Sequence, residues 1–220
     1  MRLREPLTGI YVITDATLVP GRGHLEVARA AVAGGARVVQ LRDKQAPDSH
    51  LLPIAREIRR LTLEAGVLFV VNDRLDLARA VGADGVHLGQ EDLPAAEARR
   101  RWPEGVVGVS VDDERTARQA EADGADYLGV GPIFGTATKG DAGPAVGLEQ
   151  IARIRAVSRL PIVAIGGIQI ANVAQVAAAG AHCAAVISAV VAAADMVAAV
   201  RALVEAFAAG RASREAATGS

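Results

Sequence analysis

The segment Gly35–Arg42 reads Gly-Ala-Arg-Val-Val-Gln-Leu-Arg, a glycine-alanine pair followed almost directly by a short β-forming run. The same pair precedes an apolar run three more times, at Gly82-Ala83, Gly124-Ala125 and Gly180-Ala181. Glycine accepts the left-handed conformation that ends many helices, so each pair predicts the end of a helix just before a strand. This weak internal repeat favours a chain of alternating strands and helices.

Strands and helices can be placed outward from this repeat. We predict eight strands at Ile10–Thr14, Val38–Arg42, Leu68–Asn72, Gly85–Leu88, Val106–Ser110, Tyr127–Val130, Pro161–Ile165 and Cys183–Ser188. The helical segments between them include Leu25–Ala33, Ser49–Ala65, Glu114–Ala122 and Leu148–Val157. Most of the strands are near-continuous apolar runs, which is typical of strands covered on both faces.

Eight strand–helix units in a chain of 220 residues favour an α/β fold with a single-domain (β/α)8 barrel. We expect the barrel to span residues 1–208 and residues 209–220 to form a frayed tail. An open doubly wound sheet is the structural rival. Such a sheet often carries a Gly-x-Gly-x-x-Gly turn after its first strand, where this chain has Asp15-Ala16-Thr17.

Composition excludes several classes of function. The 24 basic and 25 acidic residues leave a net charge of −1, which gives no reason to expect a nucleic-acid or acidic-membrane partner. Cys183 is the only cysteine, so neither an intramolecular disulfide nor a cysteine-rich zinc site is expected. The first seven residues do not predict a secretory signal, and charges at Asp195, Arg201 and Glu205 interrupt the alanine-rich stretch near the C-terminus. We therefore expect a cytoplasmic protein, and the sequence leaves a homo-oligomer open.

Polar residues concentrate where the predicted strands end, which is the face that carries the active site in such barrels. They are Gln40, Arg42, Lys44, Asn72, Asp73, Gln90, Glu91, Asp92, Ser110, Thr136, Thr138, Lys139 and Ser188. Of the 24 basic residues only Lys44 and Lys139 are lysines, and both belong to this set. Coding bias explains why lysine is scarce elsewhere but does not explain the positions of these two.

The loops after strands six, seven and eight predict two phosphate sites. Gly166-Gly167 and Ser188 follow strands seven and eight, where barrels frequently bind a phosphate group. The glycine-rich loop after strand six carries Thr136, Thr138 and Lys139, which can form an anion-binding concavity. The alternative in each case is a glycine-rich turn without a ligand.

Asp73 and Asp92 end neighbouring strands and predict a Mg²⁺ site, because Mg²⁺ favours a few carboxylates together with substrate phosphate oxygens. The alternative is that each carboxylate caps the helix that follows it. Arg42 and Lys44 nearby favour a bound diphosphate–Mg²⁺ complex. The four histidines show no zinc-ligand spacing, and we expect structural roles for them rather than general-base catalysis.

Six motifs together resemble the thiamine-phosphate synthase family, and they span about residues 9–190 in the family's order. They are Tyr11-Val12-Ile13-Thr14-Asp15, Gln40-Leu41-Arg42-Asp43-Lys44, Val71-Asn72-Asp73, Gly89-Gln90-Glu91-Asp92-Leu93-Pro94, Gly131-Pro132-Ile133-Phe134-Gly135-Thr136-Ala137-Thr138-Lys139 and Ala164-Ile165-Gly166-Gly167-Ile168. The resemblance implies a transferase that joins hydroxymethylpyrimidine diphosphate to a thiazole phosphate, either the hydroxyethylthiazole form or its carboxylated form. Thiamine phosphate forms and pyrophosphate is released, with Mg²⁺ as cofactor.

The resemblance also implies roles for individual residues. Gln40, Leu41, Arg42, Asp43, Lys44, Asn72, Ser110 and Lys139 would contact the pyrimidine diphosphate, Asp73 and Asp92 would hold Mg²⁺, and Thr136, Ala137, Thr138, Gly167, Ile187 and Ser188 would receive the thiazole phosphate. Arg42, Lys44, Lys139 and Ser110 would be catalytic. The implied chemistry is dissociative: pyrophosphate leaves, a pyrimidine-stabilised methylene cation forms, and the thiazole nitrogen captures it.

Three other functions remain alternatives. A thiazole tautomerase resembles the synthase but lacks its diphosphate and metal residues and carries a histidine after the strand-five serine, where this chain has Val111-Asp112-Asp113. A Schiff-base aldolase would use Lys44 or Lys139. A non-enzymatic regulator on the same fold would bind phosphorylated ligands without turnover.

Overall fold

Eight parallel strands close into a barrel, and each pairs with its two neighbours in chain order, β8 with β1 included. The computed structural model describes residues 7–136 and 143–218. The strands are β1 Gly9–Ile13, β2 Val38–Leu41, β3 Leu68–Asn72, β4 Gly85–Leu88, β5 Val106–Val111, β6 Tyr127–Val130, β7 Ile162–Ile165 and β8 Cys183–Val186. The predicted (β/α)8 barrel is confirmed.

Helices separate the strands and form the outer layer. They are α1 His24–Gly34, α2 Asp48–Ala65, α3 Leu75–Ala80, α4 Ala95–Arg101, α5 Glu114–Ala122, α6 Glu149–Val157, α7 Val173–Ala178, α8 Ser188–Val191 and α9 Met196–Thr218. Within the described residues, none of these helices is both long and apolar enough to cross a membrane.

The glycine-alanine repeat ends helices as predicted. Gly35, Gly82, Gly124 and Gly180 all have positive φ, between 65° and 103°. At the first of them, the backbone N–H of Gly35 donates to the last carbonyls of α1. The predicted strands start or end within two residues of the observed ones, and the largest difference is at β8, which stops at Val186 because Ser188 opens α8.

The frayed tail predicted from residue 209 is wrong over the part that the structure describes, because α9 continues to Thr218. Gly210 is buried against α7, and a Cβ there would lie 2.2 Å from the Ala174 carbonyl oxygen. Arg211 Nη1 donates to Thr8 Oγ1 at 3.1 Å, which ties the helix to the N-terminal end of the barrel. A helix end rich in alanine and glycine can be held by close packing that its composition does not indicate.

The core has two layers. Apolar side chains fill the space between the barrel and its helices, and a second, smaller cluster fills the barrel interior around Tyr11 and Tyr127. Because strand side chains alternate, every second residue of a strand points inward. The cavity at the C-terminal end of the barrel is accordingly lined by alternate residues such as Ser110 on β5 and Tyr127 and Gly129 on β6.

Candidate active site

A cavity of about 550 Å³ opens at the C-terminal ends of the strands. Eight of the residues that the sequence placed in the site lie on its wall: Gln40, Arg42, Asn72, Ser110, Thr136, Gly167, Ile187 and Ser188. Leu41 is instead buried in the layer between barrel and helices, so only its backbone is available to a ligand. The predicted contacts of Ala137, Thr138 and Lys139 lie outside the described residues.

The turn that carries Lys44 is built by Asp43. One oxygen of the Asp43 carboxylate accepts hydrogen bonds from the N–H groups of Gln45 and Ala46, at 2.9 and 2.8 Å, and the other lies 3.2 Å from His24 Nε2. Partial burial alone would raise the pKa of Asp43, but these hydrogen bonds and His24 outweigh it and lower the pKa. The carboxylate that the sequence assigned to the diphosphate is therefore directed at its own loop.

His24 anchors this turn to the first strand. Its Nδ1 atom lies 2.8 Å from Thr14 Oγ1, and the ring is 4% exposed. On the other side, Arg74 Nη2 donates to the Asp43 carbonyl at 2.9 Å. The loop that presents Lys44 is thus held from both sides.

Asp73 and Asp92 are brought together at the ends of β3 and β4. Burial, a side-chain hydrogen bond with Asp92 and the charge of Asp92 raise the pKa of Asp73 to about 7, whereas the charges of Lys44 and Arg42 lower it. Two carboxylates that share a site in this way are short of positive charge. Lys44 and Arg42 supply only part of it.

Neither carboxylate caps a helix. The cap positions of α3 and α4 are Arg74 and Pro94, and neither helix has a side-chain cap. Asp92 Oδ2 accepts instead from the N–H of Gly89 at 2.7 Å. Asp73 is the one non-glycine residue in the described chain with positive φ, at 62°, a conformation that persists when its surroundings demand it.

The donor set of this pair fits Mg²⁺. Among the described residues, no cluster of three or more His, Cys, Asp or Glu side chains is placed to hold a metal ion. Mg²⁺ is usually held by one or two carboxylates, with substrate phosphate oxygens and water completing its octahedron. A metal that needs an all-protein cage does not fit.

The opposite wall, at the ends of β7 and β8, is made of backbone. Gly166 and Gly167 have φ of 99° and 62°, and a Cβ on Gly167 would lie 2.5 Å from the Gly135 carbonyl oxygen. The loop after β6 packs here, with the Phe134 N–H donating to the Gly166 carbonyl at 3.0 Å. Only glycine therefore lets the two loops meet beside Ser188.

The barrel interior contains polar residues that the sequence reasoning missed. Gln40 Nε2 donates to the Tyr11 hydroxyl at 2.8 Å, and the hydroxyls of Tyr11 and Tyr127 lie 3.0 Å apart. The Tyr127 hydroxyl lies 3.0 Å from His87 Nδ1, and His87 Nε2 lies 3.0 Å from Ser110 Oγ. The alternation of β4 could have shown that His87 faces inward, because Val86 and Leu88 on either side of it face the helices.

Comparisons with known proteins identify relatives of similar sequence. The family model described as thiamine monophosphate synthase matches residues 10–190. A thiamine-phosphate synthase of Methanoculleus marisnigri is 56% identical over 180 residues, which are 81% of this chain and 85% of the relative. One of Moorella thermoacetica is 54% identical over 184 residues, which are 83% of this chain and 88% of the relative.

A solved structure of similar fold has a name that matches the same family. The thiamine phosphate pyrophosphorylase from Pyrococcus furiosus superposes with a TM-score of 0.86 at 41% identity, covering 93% of this chain and 98% of the other. The matching family model covers well over half of the chain, nearly the whole barrel. The chain therefore belongs to the thiamine monophosphate synthase family.

Proposed function

We propose that this transferase is a thiamine-phosphate synthase that joins 4-amino-5-hydroxymethyl-2-methylpyrimidine diphosphate to hydroxyethylthiazole phosphate or its carboxylated form. The observation that carries the proposal is the Asp73–Asp92 pair at the ends of β3 and β4, whose mutual repulsion the charges of Lys44 and Arg42 offset only in part. Two carboxylates that repel each other in this way favour a bound divalent cation, and a diphosphate can share that cation.

The diphosphate is assigned to the side of β2–β4. Arg42 lines the cavity, and Lys44 stands on the turn that Asp43 and His24 hold. We also assign Lys139, in the loop after β6, to the diphosphate. Asp73 and Asp92 would hold Mg²⁺, which supplies a Lewis acid that stabilises negative charge on the leaving pyrophosphate.

The pyrimidine ring is assigned to the floor of the cavity, beside Gln40, Asn72 and Ser110. The thiazole phosphate is assigned to the opposite side, where the backbone of Gly167 and Ile187 and the hydroxyls of Ser188 and Thr136 line the wall. Ala137 and Thr138 are also assigned to the thiazole phosphate. Two phosphate groups are thus kept on opposite sides of one barrel, with the reacting atoms between them.

The reaction needs charge stabilisation and positioning more than proton transfer. The bond between the pyrimidine methylene carbon and the diphosphate oxygen breaks, and its electron pair leaves with pyrophosphate. Arg42, Lys44 and Lys139 donate hydrogen bonds to that developing charge. The thiazole nitrogen then donates its lone pair to the methylene cation, and no residue is required to act as a strong base. When the carboxylated thiazole is the substrate, its carboxylate group is also lost as CO₂.

The test is to supply both phosphorylated precursors with Mg²⁺ and to measure thiamine phosphate and pyrophosphate. We expect equal amounts of the two products. Asp76→Asn serves as a matched control, because Asp76 is an exposed carboxylate on α3 that pairs with Arg101 away from the cavity. Absence of product from folded protein would overturn the proposal.

The same assay separates the alternatives. A tautomerase would consume the thiazole phosphate alone and release no pyrophosphate. A Schiff-base aldolase would be trapped covalently on lysine by borohydride in the presence of a carbonyl substrate. A regulator would bind the precursors without forming product.

A further inference from the structure

Five side chains form one unbroken chain of hydrogen bonds through the barrel interior. The order is Gln40, Tyr11, Tyr127, His87, Ser110, and every donor–acceptor distance is 2.8 to 3.0 Å. Both end residues line the cavity on strands that are not neighbours, β2 and β5. We call this chain of five residues the interior relay.

The relay is held tightly in place. Tyr11 and Tyr127 are each 1% exposed, and the ring of His87 stacks on that of Tyr127 with centroids 5.5 Å apart. Two glycines on neighbouring strands make the room: a Cβ at Gly108 would lie 2.0 Å from Tyr127 Cζ, and one at Gly129 would lie 2.9 Å from His87 Cε1. Glycine inside a strand often marks such a close approach.

Each hydroxyl in the relay has one proton to give, so its order is determined from one end. With the Gln40 amide oriented so that Nε2 donates to Tyr11, the Tyr11 proton goes to Tyr127 and the Tyr127 proton goes to His87 Nδ1. The His87 proton is then on Nε2 and is donated to Ser110 Oγ. Burial raises the pKa of both tyrosines well above the ordinary value, which keeps their protons in place.

A protonated His87 does not fit this order. It would donate to Tyr127 as well as to Ser110, and the Tyr127 proton would then turn toward Tyr11. Tyr11 would receive hydrogen bonds from both sides, or the Gln40 amide would have to turn over so that its Oε1 accepts from Tyr11. In both cases His87 no longer accepts from Tyr127, so the order described above is lost.

We propose that the interior relay couples Gln40 to Ser110 and thereby sets the hydrogen-bonding polarity of the pyrimidine site. Ser110, which accepts from His87, presents its O–H to a ring nitrogen, and Gln40, whose Nε2 is engaged by Tyr11, presents Oε1 to the exocyclic amino group. His87, Tyr11 and Tyr127 are positioning residues. The assignment to a pyrimidine rests on the proposed function.

This coupling selects an aminopyrimidine over its oxo analogue. An oxo ring offers an N–H where the amino ring has an acceptor nitrogen, and a C=O in place of the amino group, so it requires the opposite polarity at both ends. All four hydrogen bonds of the relay would have to reverse together. A site whose buried polar groups are left unpaired by the wrong ligand rejects that ligand strongly.

The first test reads the order of the relay directly. Nitrogen-15 NMR of the four histidines distinguishes the two neutral tautomers, and His87→Gln identifies the signal of His87. We expect the Nε2–H tautomer in the protein without ligand. An Nδ1–H tautomer or a charged ring would overturn the proposed order, whether or not the protein makes thiamine phosphate.

The second test measures the binding constants of 4-amino- and 4-oxo-pyrimidine diphosphate with Mg²⁺. In Tyr127→Phe the ends are uncoupled, and we expect the preference for the amino ring to fall by about 10- to 100-fold. Val106→Ala is the control, because Val106 belongs to the same interior cluster but does not line the cavity. It removes volume and should keep the preference unchanged.

Three outcomes separate the hypotheses. An unchanged preference in Tyr127→Phe overturns the coupling, and an equal loss in Val106→Ala overturns it as well, by showing that packing alone is responsible. Failure of the wild-type protein to bind either ring overturns the proposed function and the assignment to a pyrimidine. The tautomer of His87 still decides the order of the relay in that case.

Discussion

The two sides of the cavity differ in the chemical groups that they offer to a ligand. The β2–β4 side is charged: Arg42 lines the cavity, and Asp73 and Asp92 share a site near Arg42 and Lys44. The β7–β8 side is formed by Gly166, Gly167 and Ser188, which offer backbone groups and a hydroxyl. We therefore expect the charged side to depend on pH and on a cation, and the backbone side to depend on the path of the chain.

If the cavity holds two phosphate groups as proposed, this difference keeps each group on its own side. A diphosphate brings enough negative charge to use a divalent cation and the cations of Arg42 and Lys44. A monophosphate is held well by N–H groups that point at it from a tight turn. Substitutions on one side should therefore affect one substrate and spare the other.

The largest effect is expected from Asp92→Ala, which removes a carboxylate from the charged side. Removal of one carboxylate should lower turnover by about 100- to 1,000-fold at saturating thiazole phosphate, by analogy with the loss of one electrostatic contact to a transition state. The melting temperature should change little, since Asp92 caps no helix. Steady-state kinetics over a range of Mg²⁺ concentrations, with calorimetry, check both statements; a large loss of stability at normal turnover would contradict them.

A smaller effect is expected from Gly167→Ala, which alters the turn on the backbone side. The added Cβ would meet the Gly135 carbonyl at 2.5 Å in a conformation with φ of 62°, so the turn must move. We expect KM for the thiazole phosphate to rise about tenfold, an effect of about 1–2 kcal/mol, with KM for the pyrimidine diphosphate nearly unchanged. Gly143→Ala is the control, because Gly143 lines the same cavity and has open space around it. An equal rise in both KM values would show that the two sides are not separate.

The sequence singled out the residues of the charged side, but it did not single out Tyr11, Tyr127 and His87 in the interior between the two sides. Asp73, Asp92 and Lys44 follow strands at the end of the barrel that carries the active site in this fold, so their positions alone made them candidates. Tyr11, Tyr127 and His87 lie within strands, where the same residue types are ordinary parts of a core. Their connection depends on how eight strands close around an axis, and no local pattern contains that information.

A third prediction tests whether the charged side is controlled by pH. Mg²⁺ binds ionised carboxylates, and the pKa of Asp73 is raised to about 7, so protons compete with the metal below that pH. Mg²⁺ affinity should be about tenfold weaker at pH 6 than at pH 8, as expected for one group of that pKa. Titration calorimetry at the two pH values measures the difference. In Asp73→Asn the affinity should be weak at both, and the same pH dependence in that variant would assign it to another group.

The smallest effect is one of stability, and it distinguishes a functional carboxylate pair from a structural one. A carboxyl group whose pKa is raised from 3.8 to about 7 binds its proton more tightly in the folded protein, so stability falls as pH rises through that window. At pH 8 the ionised Asp73 is therefore a cost, which solvent screening of this partly exposed group reduces to about 1 kcal/mol. Asp73→Asn should raise the melting temperature of the metal-free protein by about 2–4 °C at pH 8 and by less at pH 5.5. Asparagine tolerates the positive φ at this position, so the backbone is not strained by the change. If Asp73→Asn instead melts at a lower temperature than the unsubstituted protein at pH 8, the carboxylate pair stabilises the barrel. The arrangement of the charged side would then be explained by protein stability and not by a bound cation.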